Sequence, residues 1–405
     1  MTTTAFRVFR YRWVVLAGFM LAVAFNQLLW ITFAPITGPA AAYYGVSDLS
    51  IGLLSMSFMI AYLFLALPAS WVIDTYGFRT AVGIGVVLTG VFGLMRGLVA
   101  ADYTLVLVAQ IGIAIGQPFI LNAVTKVAAR WFPLNERATA SGLGSLAVYV
   151  GILVGLALTP FLTLQVGIAR LLMIYGVGAS IAGVVFLAVA REHPATPPGP
   201  PEQEERALML DGLKQIVRKR DFQLLLLIFF IGLGVFNSVT TWIEDIVRPR
   251  GFSITEAGIA GGLMILGGVI GALVLPGLSD RYRQRVPFIV IALAGAIPGL
   301  AGVTFASTLG LLYLAAFVFG FFLLSSGPIG FQYGAEIGRP TPEGTSNGLL
   351  LLMGQISGIA FIIGMDSFKV PATGSMTPSL VALIVLMGVA LLLATRLHES
   401  SLLAT

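Results

Sequence analysis

Long stretches without a charged side chain constrain this sequence more than any other feature. Asp, Glu, Lys and Arg make up 10% of the 405 residues, whereas soluble domains carry about 25%. A soluble core of this length could not hide so much apolar surface, so we expect lipid as the surrounding medium. The charge-free runs are 13–47, 49–73, 80–95, 103–125, 138–169, 171–190, 222–243, 257–279, 286–335, 344–365 and 370–395.

These runs predict twelve membrane-spanning helices, because each crossing needs roughly 20 apolar residues. The run 286–335 is long enough for two crossings with a break near "STLG" at 307–310, and the run 80–95 extends past Arg96 to Ala100. Backbone polar groups in lipid must be satisfied within each segment, and the runs lack the alternation of transmembrane strands. We therefore predict an all-α membrane protein.

The distribution of Lys and Arg predicts the orientation. With a cytoplasmic amino terminus, 18 of the 23 Lys and Arg residues fall on the cytoplasmic side, as the positive-inside rule requires. We therefore expect a multi-pass protein of the cell (inner or plasma) membrane with both termini cytoplasmic. The net charge of +5 reflects this topology and does not indicate a nucleic-acid partner. Five cations are expected outside: Arg96, Arg170, Arg248, Arg250 and Lys369.

A polar segment divides the predicted spans six and six. Its start, "REHPATPPGPP", is rich in proline and resists regular structure. Its second part spaces Met209, Leu213, Ile216 and Val217 along one face of a helix. We predict an N-terminal six-helix bundle at 1–190, a cytoplasmic linker with an amphipathic helix at 191–221, and a C-terminal six-helix bundle at 222–405.

The two halves repeat one another at the turns that follow spans 2 and 8. These turns read "IDTYGFRT" and "LSDRYRQR", and parallel six-helix repeats are the plan of the major facilitator superfamily. Asp74, Gly77 and Arg79 resemble the signature that this superfamily carries after span 2. The resemblance implies the major facilitator fold, with two bundles of six helices.

Physical chemistry suggests that the signature turn forms a gate. Gly77 permits a tight turn, and Asp74 can meet the positive end of a helix or pair with an arginine such as Arg130. The alternative is a solvated loop whose charges only set topology. The predicted gating residues are Asp74, Gly77, Arg79 and Arg130, with Asp280 and Arg281 in the second half.

Longer stretches resemble one family of facilitators. The residues 28–80, "GQPFIL", "ARWFPLNERATASG" and "GFQYGAEIGRPTPEGTSNG" are similar to the family of the feline leukaemia virus subgroup C receptor. The similarity runs from about residue 13 to residue 396. Members are animal facilitators linked to choline and ethanolamine and earlier to haem, which implies a small amine as substrate here.

Neutral polar and aromatic side chains lie near the middle of the predicted spans, where Asp, Glu, Lys, Arg and His are missing. Amides in membranes often join one helix to another, so each of them has an alternative role. A Trp face, however, attracts a desolvated cation. The predicted substrate-binding residues are Asn26, Gln27, Trp30, Gln117, Tyr149, Phe236, Asn237 and Gln355.

The family resemblance assigns roles to part of this set. It implies that Trp30 holds an ammonium head and that Gln117 and Gln355 match the family's glutamines. The family's aromatic in span 7 is replaced by Asn237, with Phe236 before it. An aromatic cage would therefore be incomplete or rebuilt, which leaves a small polar or cationic amine as the expected substrate.

Three functions remain open from the sequence. The first is a facilitator, the second a proton-coupled exporter of drugs or metabolites that uses rim acids, and the third a membrane sensor that binds ligand without transport. The rim acids are Glu244, Asp245, Glu336 and Asp366, and the first three are the candidates for ion coupling. With two His and no Cys, no metal cluster or cofactor is expected, and we predict no enzyme activity. The expected partners are the lipid bilayer and a small-molecule substrate, with the protein a monomer.

Overall fold

The computed structural model describes residues 8–198, 215–339 and 343–400. Over these residues every regular element is helical, and twelve helices are long and apolar enough to cross a membrane. The predicted all-α fold with twelve spans is confirmed. Spans 1 to 12 are Arg12–Tyr44, Asp48–Tyr76, Phe78–Leu98, Tyr103–Trp131, Asn135–Val166, Ile168–Val189, Arg220–Thr241, Ile254–Tyr282, Val286–Phe305, Leu309–Gly338, Gly344–Ser367 and Thr377–Ala394.

Span 1 is interrupted near its middle. Its first segment is the helix Arg12–Ile31, its second segment is the helix Thr37–Tyr44, and a 3₁₀ turn at Ala34–Ile36 lies between them. Pro35 explains the break, because proline lacks an N–H and its ring clashes with the carbonyl four residues earlier, which is that of Ile31. The run 13–47 therefore does not form the one continuous helix that its apolar character suggests.

The break between spans 9 and 10 falls where the sequence predicts it. Span 9 ends at Phe305 and span 10 begins at Leu309. The hydroxyl of Thr308 accepts a hydrogen bond from the Leu311 N–H at 3.4 Å, which satisfies one of the free donors at the start of span 10.

Close helix packing depends on glycine. A Cβ added to Gly93 in span 3 would lie 3.3 Å from the Cα of Gly176 in span 6. A Cβ added to Gly320 in span 10 would overlap the backbone of Met264 in span 8. Small residues allow membrane helices to approach in this way, so these glycines permit the close packing of spans 3 and 6 and of spans 8 and 10.

The chain forms two compact units. The first comprises Met1–Thr32, Ile60–Gly155 and Phe161–Glu205, and its apolar core includes Phe19 and Phe78. The second comprises Phe33–Met59, Leu156–Pro160 and Arg206–Thr405. The chain first passes from one unit to the other after Thr32, at the break in span 1.

The predicted domain limits follow the division into six and six spans and stay a prediction. The predicted linker helix is described only in part. Met209 and Leu213 lie outside the described residues, whereas Ile216 and Val217 lie within them.

A carboxylate caps the start of span 3. The backbone N–H groups of Phe78 and Arg79 donate to Glu192 at 3.1 and 2.8 Å, and Glu192 follows the end of span 6. Gly77 has a φ of +86°, and an added Cβ would overlap the Glu192 carboxylate. The tight turn predicted at Gly77 thus has two requirements for glycine, its left-handed φ and the lack of a side chain.

The second half repeats this cap at the start of span 9. The N–H groups of Arg285 and Val286 donate to Glu399 at 2.9 and 3.2 Å, and Glu399 follows span 12. Arg283, with a φ of +53°, ends span 8. A negative charge at a helix amino terminus contributes about 0.3–1 kcal/mol, so each cap stabilises the turn that precedes it.

Candidate functional site

Trp30 lies in the last turn of the first segment of span 1 and is 6% exposed. The carbonyl of the preceding residue, Leu29, accepts hydrogen bonds from Arg96 Nη1 at 3.0 Å and from Gln110 Nε2 at 3.3 Å. Arg96 belongs to span 3 and Gln110 to span 4. Two other spans of the first unit therefore hold the backbone turn that carries Trp30.

Arg96 is a residue whose importance the sequence did not reveal. The charge distribution groups it with the exterior cations, but its side chain is fully buried. Its guanidinium also donates to Gln110 Oε1 at 2.7 Å and to the Thr32 hydroxyl at 3.4 Å. The sequence signal was its position in the last turn of an apolar span rather than beyond it.

Asn26 and Gln27 join neighbouring residues within the first unit. Asn26 is fully buried, and its Nδ2 donates to the Thr89 hydroxyl in span 3 at 3.1 Å. Gln27 Nε2 donates to Asn26 Oδ1 at 3.4 Å. The Asn26 amide thus fastens span 1 to span 3, and a role in substrate binding for either residue stays a prediction.

Gln117 and Tyr149 also belong to the first unit. Gln117 is 7% exposed and directly precedes Pro118, inside span 4. Tyr149 is half-buried in span 5. Because proline removes a helix hydrogen bond, the Gln117 turn is a point of weakened helix structure, which membrane helices tolerate where neighbouring groups satisfy the freed backbone.

The second unit holds Asn237 close to Gln355. Asn237 Nδ2 donates to the carbonyl of Gly354 at 3.1 Å, and Gln355 is the next residue of span 11. Phe236 is 7% exposed, and Gln355 is half-buried. This hydrogen bond joins span 7 to span 11 at the residue before Gln355.

The Trp242 side chain packs against neighbouring helices of the second unit. It is fully buried, its indole N–H donates to the Ile362 carbonyl at 3.1 Å, and its ring lies over Gly52, where an added Cβ would be 2.7 Å away. It therefore does not supply the aromatic wall that Asn237 lacks.

Five charged side chains of the second unit form one cluster, which we call the five-charge cluster: Asp48, Glu244, Asp245, Arg248 and Lys369. Arg248 lies 2.8 Å from Asp48 and 3.2 Å from Glu244 and also pairs with Asp245. Lys369 lies 2.6 Å from Asp48 and 2.7 Å from Asp245. Two cations therefore connect the start of span 2 with the helix Ile243–Val247 after span 7 and with the end of span 11.

Glu244 links the five-charge cluster to span 1. Its side chain is 3% exposed, and its Oε2 accepts the Gly38 N–H, in the first turn of the second segment, at 2.9 Å. Burial raises the pKa of Glu244 to about 7 against the attraction of Arg248, and burial also raises the pKa of Asp245. Since three carboxylates face two cations, Glu244 is the carboxylate expected to carry a proton near neutral pH.

Glu244 should make the stability of the protein depend on pH. A carboxyl whose pKa rises from 4.5 to about 7 on folding binds its proton more tightly in the folded state, so its contribution is greatest below 4.5 and is lost as the pH rises to about 7. We expect the melting temperature to fall over this range and Glu244→Gln to flatten that fall. Glu256→Gln, at a half-buried capping carboxylate outside the five-charge cluster, is the control. An unchanged slope in Glu244→Gln would contradict this assignment.

Three of the predicted gate residues, Asp74, Gly77 and Arg79, lie at the turn between spans 2 and 3. Asp74 is exposed, and its Oδ1 is 3.4 Å from Lys126 Nζ, whereas the sequence suggested Arg130 as its partner. Lys126 and Arg130 lie one turn apart on the helix Val124–Trp131. Arg79 is exposed. The gating roles of these residues stay predictions.

The corresponding turn in the second half contains an ion-paired arginine. Arg285 pairs with Asp280 and lies 3.1 Å from Glu336, while Arg281 is exposed. Glu336, which the sequence suggested for ion coupling, is therefore neutralised by a cation. Sequence reasoning did not identify Glu192, Glu399 or the pair Arg285–Glu336, because these contacts are distant along the chain.

The twelve helical spans, the paired turns and the polar residues within the spans define a helical membrane transporter. Residues 19–362 match the Major Facilitator Superfamily. The chain belongs to this superfamily and is a multi-pass membrane transporter, not an enzyme.

The chain is also similar to individual proteins. It is 32% identical to Solute carrier family 49 member A3 of Danio rerio, over 90% of this chain and 80% of that protein. It is 27% identical to the Choline/ethanolamine transporter FLVCR2 of Homo sapiens, over 88% of this chain and 69% of that protein. The resemblance to the feline leukaemia virus subgroup C receptor family is thereby confirmed.

One solved structure shows the same fold. It is the inward-facing, unoccupied structure of a bacterial homolog to the human lysosomal transporter Spinster, with a TM-score of 0.78. The sequence identity is 18%, and the match covers 96% of this chain and 98% of that one. At this identity the likeness concerns the fold alone.

Proposed function

We propose that the protein is an alternating-access facilitator that carries a small polar or cationic organic metabolite, with an amine of the choline or ethanolamine type as the best candidate. The observation that supports this most is Trp30, an indole that is 6% exposed and lies in the last turn of the first segment of span 1. The relatives named as choline/ethanolamine transporters match 88% of the chain. A Trp face attracts a desolvated ammonium group by roughly 2 kcal/mol or more.

The amides favour an ammonium group that still carries N–H donors. Gln117 and Gln355 each offer a carbonyl oxygen, and Asn237, whose Nδ2 is engaged by Gly354, retains its own. A primary ammonium can donate to these oxygens, whereas a quaternary ammonium has no N–H. We therefore expect ethanolamine to be carried at least as well as choline.

Uptake into proteoliposomes tests this function. Purified protein is reconstituted, and entry of radiolabelled ethanolamine and choline is measured with and without an inside-negative potential. The potential should increase entry, since it supplies about 2.3 kcal/mol per charge per 100 mV, and unlabelled amine should compete. Binding of an amine without flux would instead identify a sensor. A complete lack of binding and flux for both amines would reject the amine class.

A second candidate, a proton-coupled exporter, is favoured by one observation. Glu244 is buried in the five-charge cluster and has a pKa of about 7, which suits a group that gains and loses a proton. Transport driven by a pH gradient at zero potential, and lost in Glu244→Gln, would support the exporter. Amine entry that is indifferent to the gradient supports the facilitator.

We infer that Asp74 belongs to a cytoplasmic gate and that both termini are cytoplasmic in the cell membrane, where the protein acts as a monomer. Asp74→Asn should weaken closure at that side and increase the labelling of a cysteine introduced nearby, on a chain that has no cysteine of its own. The measurement is the labelling rate by a membrane-impermeant thiol reagent. Thr80→Asn, at a nearby exposed position, is the control. Unchanged labelling in Asp74→Asn would show that Asp74 serves only in the turn and not in a gate.

A further inference from the structure

A fully buried arginine near the Trp30 turn is not explained by the proposed function. Arg96 lies in the last turn of span 3, and the hydrogen bonds of its guanidinium reach the Leu29 carbonyl at 3.0 Å, Gln110 Oε1 at 2.7 Å and the Thr32 hydroxyl at 3.4 Å. Burying a charge in a membrane protein is costly, so such residues usually have a function.

The end of the first segment of span 1 explains why this charge is tolerated. The last carbonyls of a helix lack partners within it, and the helix dipole places partial negative charge there, which favours a cation. The segment ends at Ile31 because of Pro35. The Leu28 carbonyl accepts the Thr32 hydroxyl at 2.9 Å, and the Leu29 carbonyl accepts from Arg96 and Gln110.

The hydrogen bonds of Arg96 act on both sides of Trp30. Leu29 precedes Trp30 directly, and Thr32 follows two residues later. The Arg96 guanidinium donates a hydrogen bond to the Leu29 carbonyl and another to the Thr32 hydroxyl. The Gln110 side chain donates a second hydrogen bond to the Leu29 carbonyl and accepts one from Arg96. An arginine side chain offers several donors in a rigid plane, so it fixes the orientation of this turn as well as neutralising the helix end.

We propose that Arg96, supported by Gln110, is a positioning residue that fixes the broken end of span 1 and thereby sets the orientation of the Trp30 side chain for substrate. The effect on Trp30 stands by itself, whereas the effect on amine transport rests on the proposed function. Arg96 acts through the backbone of span 1 and need not touch the substrate.

Fluorine NMR of the protein labelled with fluorotryptophan tests the orientation without any ligand. The chain has five tryptophans, and Trp30→Phe identifies the Trp30 signal. Arg96→Met should shift or broaden that signal and leave those of Trp71 and Trp242 unchanged. Arg96→Lys, which keeps the charge and can still donate to Leu29, should restore it in part. Arg170→Met, which removes an exposed arginine of the same unit, is the control and should leave it unchanged.

Ethanolamine uptake in proteoliposomes provides the second readout. Loss of the charged guanidinium and of its hydrogen bonds to Leu29, Gln110 and Thr32 should raise KM by about 10-fold in Arg96→Met, with Arg96→Lys between it and the wild type and kcat less affected. A shifted Trp30 signal together with an unchanged KM would retain the effect of Arg96 on Trp30 and reject the effect of that orientation on amine transport. A lack of amine uptake by the wild-type protein would instead reject the amine as substrate and leave the Trp30 signal as the test of the positioning role.

Two results would overturn the proposal. One is an unchanged Trp30 signal in folded Arg96→Met. If Arg96→Met does not fold, Gln110→Leu removes the other donor to Leu29 at smaller cost, and an unchanged Trp30 signal in that variant is the second. A Trp30 signal that moves in Gln110→Leu supports the proposal.

Discussion

Replacing Trp30 by alanine is expected to weaken the binding of ethanolamine or choline by about 5- to 30-fold, equal to about 1–2 kcal/mol. The reason is the loss of the aromatic face at the end of the first segment of span 1. Trp30→Phe should lose less, because a ring remains. The measurement is the Kd of the purified protein by calorimetry, with the melting temperature recorded for each variant.

Trp71→Ala is the matched control for this prediction. Trp71 is 59% exposed, so its replacement also removes an indole but should leave amine affinity unchanged. Gln117→Ala and Gln355→Ala should each weaken binding by about 1 kcal/mol through a lost hydrogen bond. Equal affinity in the wild type and Trp30→Ala would eliminate the aromatic-cation interaction and favour a neutral or anionic substrate.

Replacing Lys369 by methionine is expected to destabilise the protein strongly, whereas Glu244→Gln at neutral pH should be mild. Lys369 neutralises Asp48 and the fully buried Asp245, and removal of one partner from a buried ion pair costs about 3–5 kcal/mol. Because Lys369 is 16% exposed, we expect the low end, about 3 kcal/mol. Glu244→Gln keeps an oxygen that can accept the Gly38 N–H. It also leaves two carboxylates, those of Asp48 and Asp245, to balance the charges of the two cations.

The melting temperature of the purified variants at neutral pH measures this difference. Lys369→Met should lower it by on the order of 5 °C, and Asp245→Asn combined with Lys369→Met should recover much of the loss, since the uncompensated buried charge is removed. Arg170→Met removes an exposed cation and is the control. If Glu244→Gln proves as harmful as Lys369→Met, the proposed proton on Glu244 is wrong.

The apolar runs and the charged or turn-forming residues between them were enough to predict the spans and the break before Leu309, because lipid imposes length and composition on each crossing. The interruption of span 1 was also present in the sequence, at Pro35, but the apolar character of the run 13–47 concealed it. Proline position, rather than hydropathy, determined where that helix ended.

The partners of the polar residues could not be predicted in the same way. Glu244 and Asp245 stood out as rim acids, but Lys369 reaches Asp48 from 321 positions away, and no local pattern records such a contact. Arg96 was similarly misjudged, since a cation at a helix end has the same sequence signal whether it is buried or solvated. The candidate substrate residues were found by type and depth, and their hydrogen bonds had to come from the structure.

The matching caps at Glu192 and Glu399 have a consequence for how the polypeptide can be divided. Each carboxylate caps a helix of its own half, Phe78–Leu98 in one case and Val286–Phe305 in the other. A chain cut within 199–214 would leave Glu192 on the first piece and Glu399 on the second. Two separately translated fragments would therefore each retain both the cap and the turn that it stabilises.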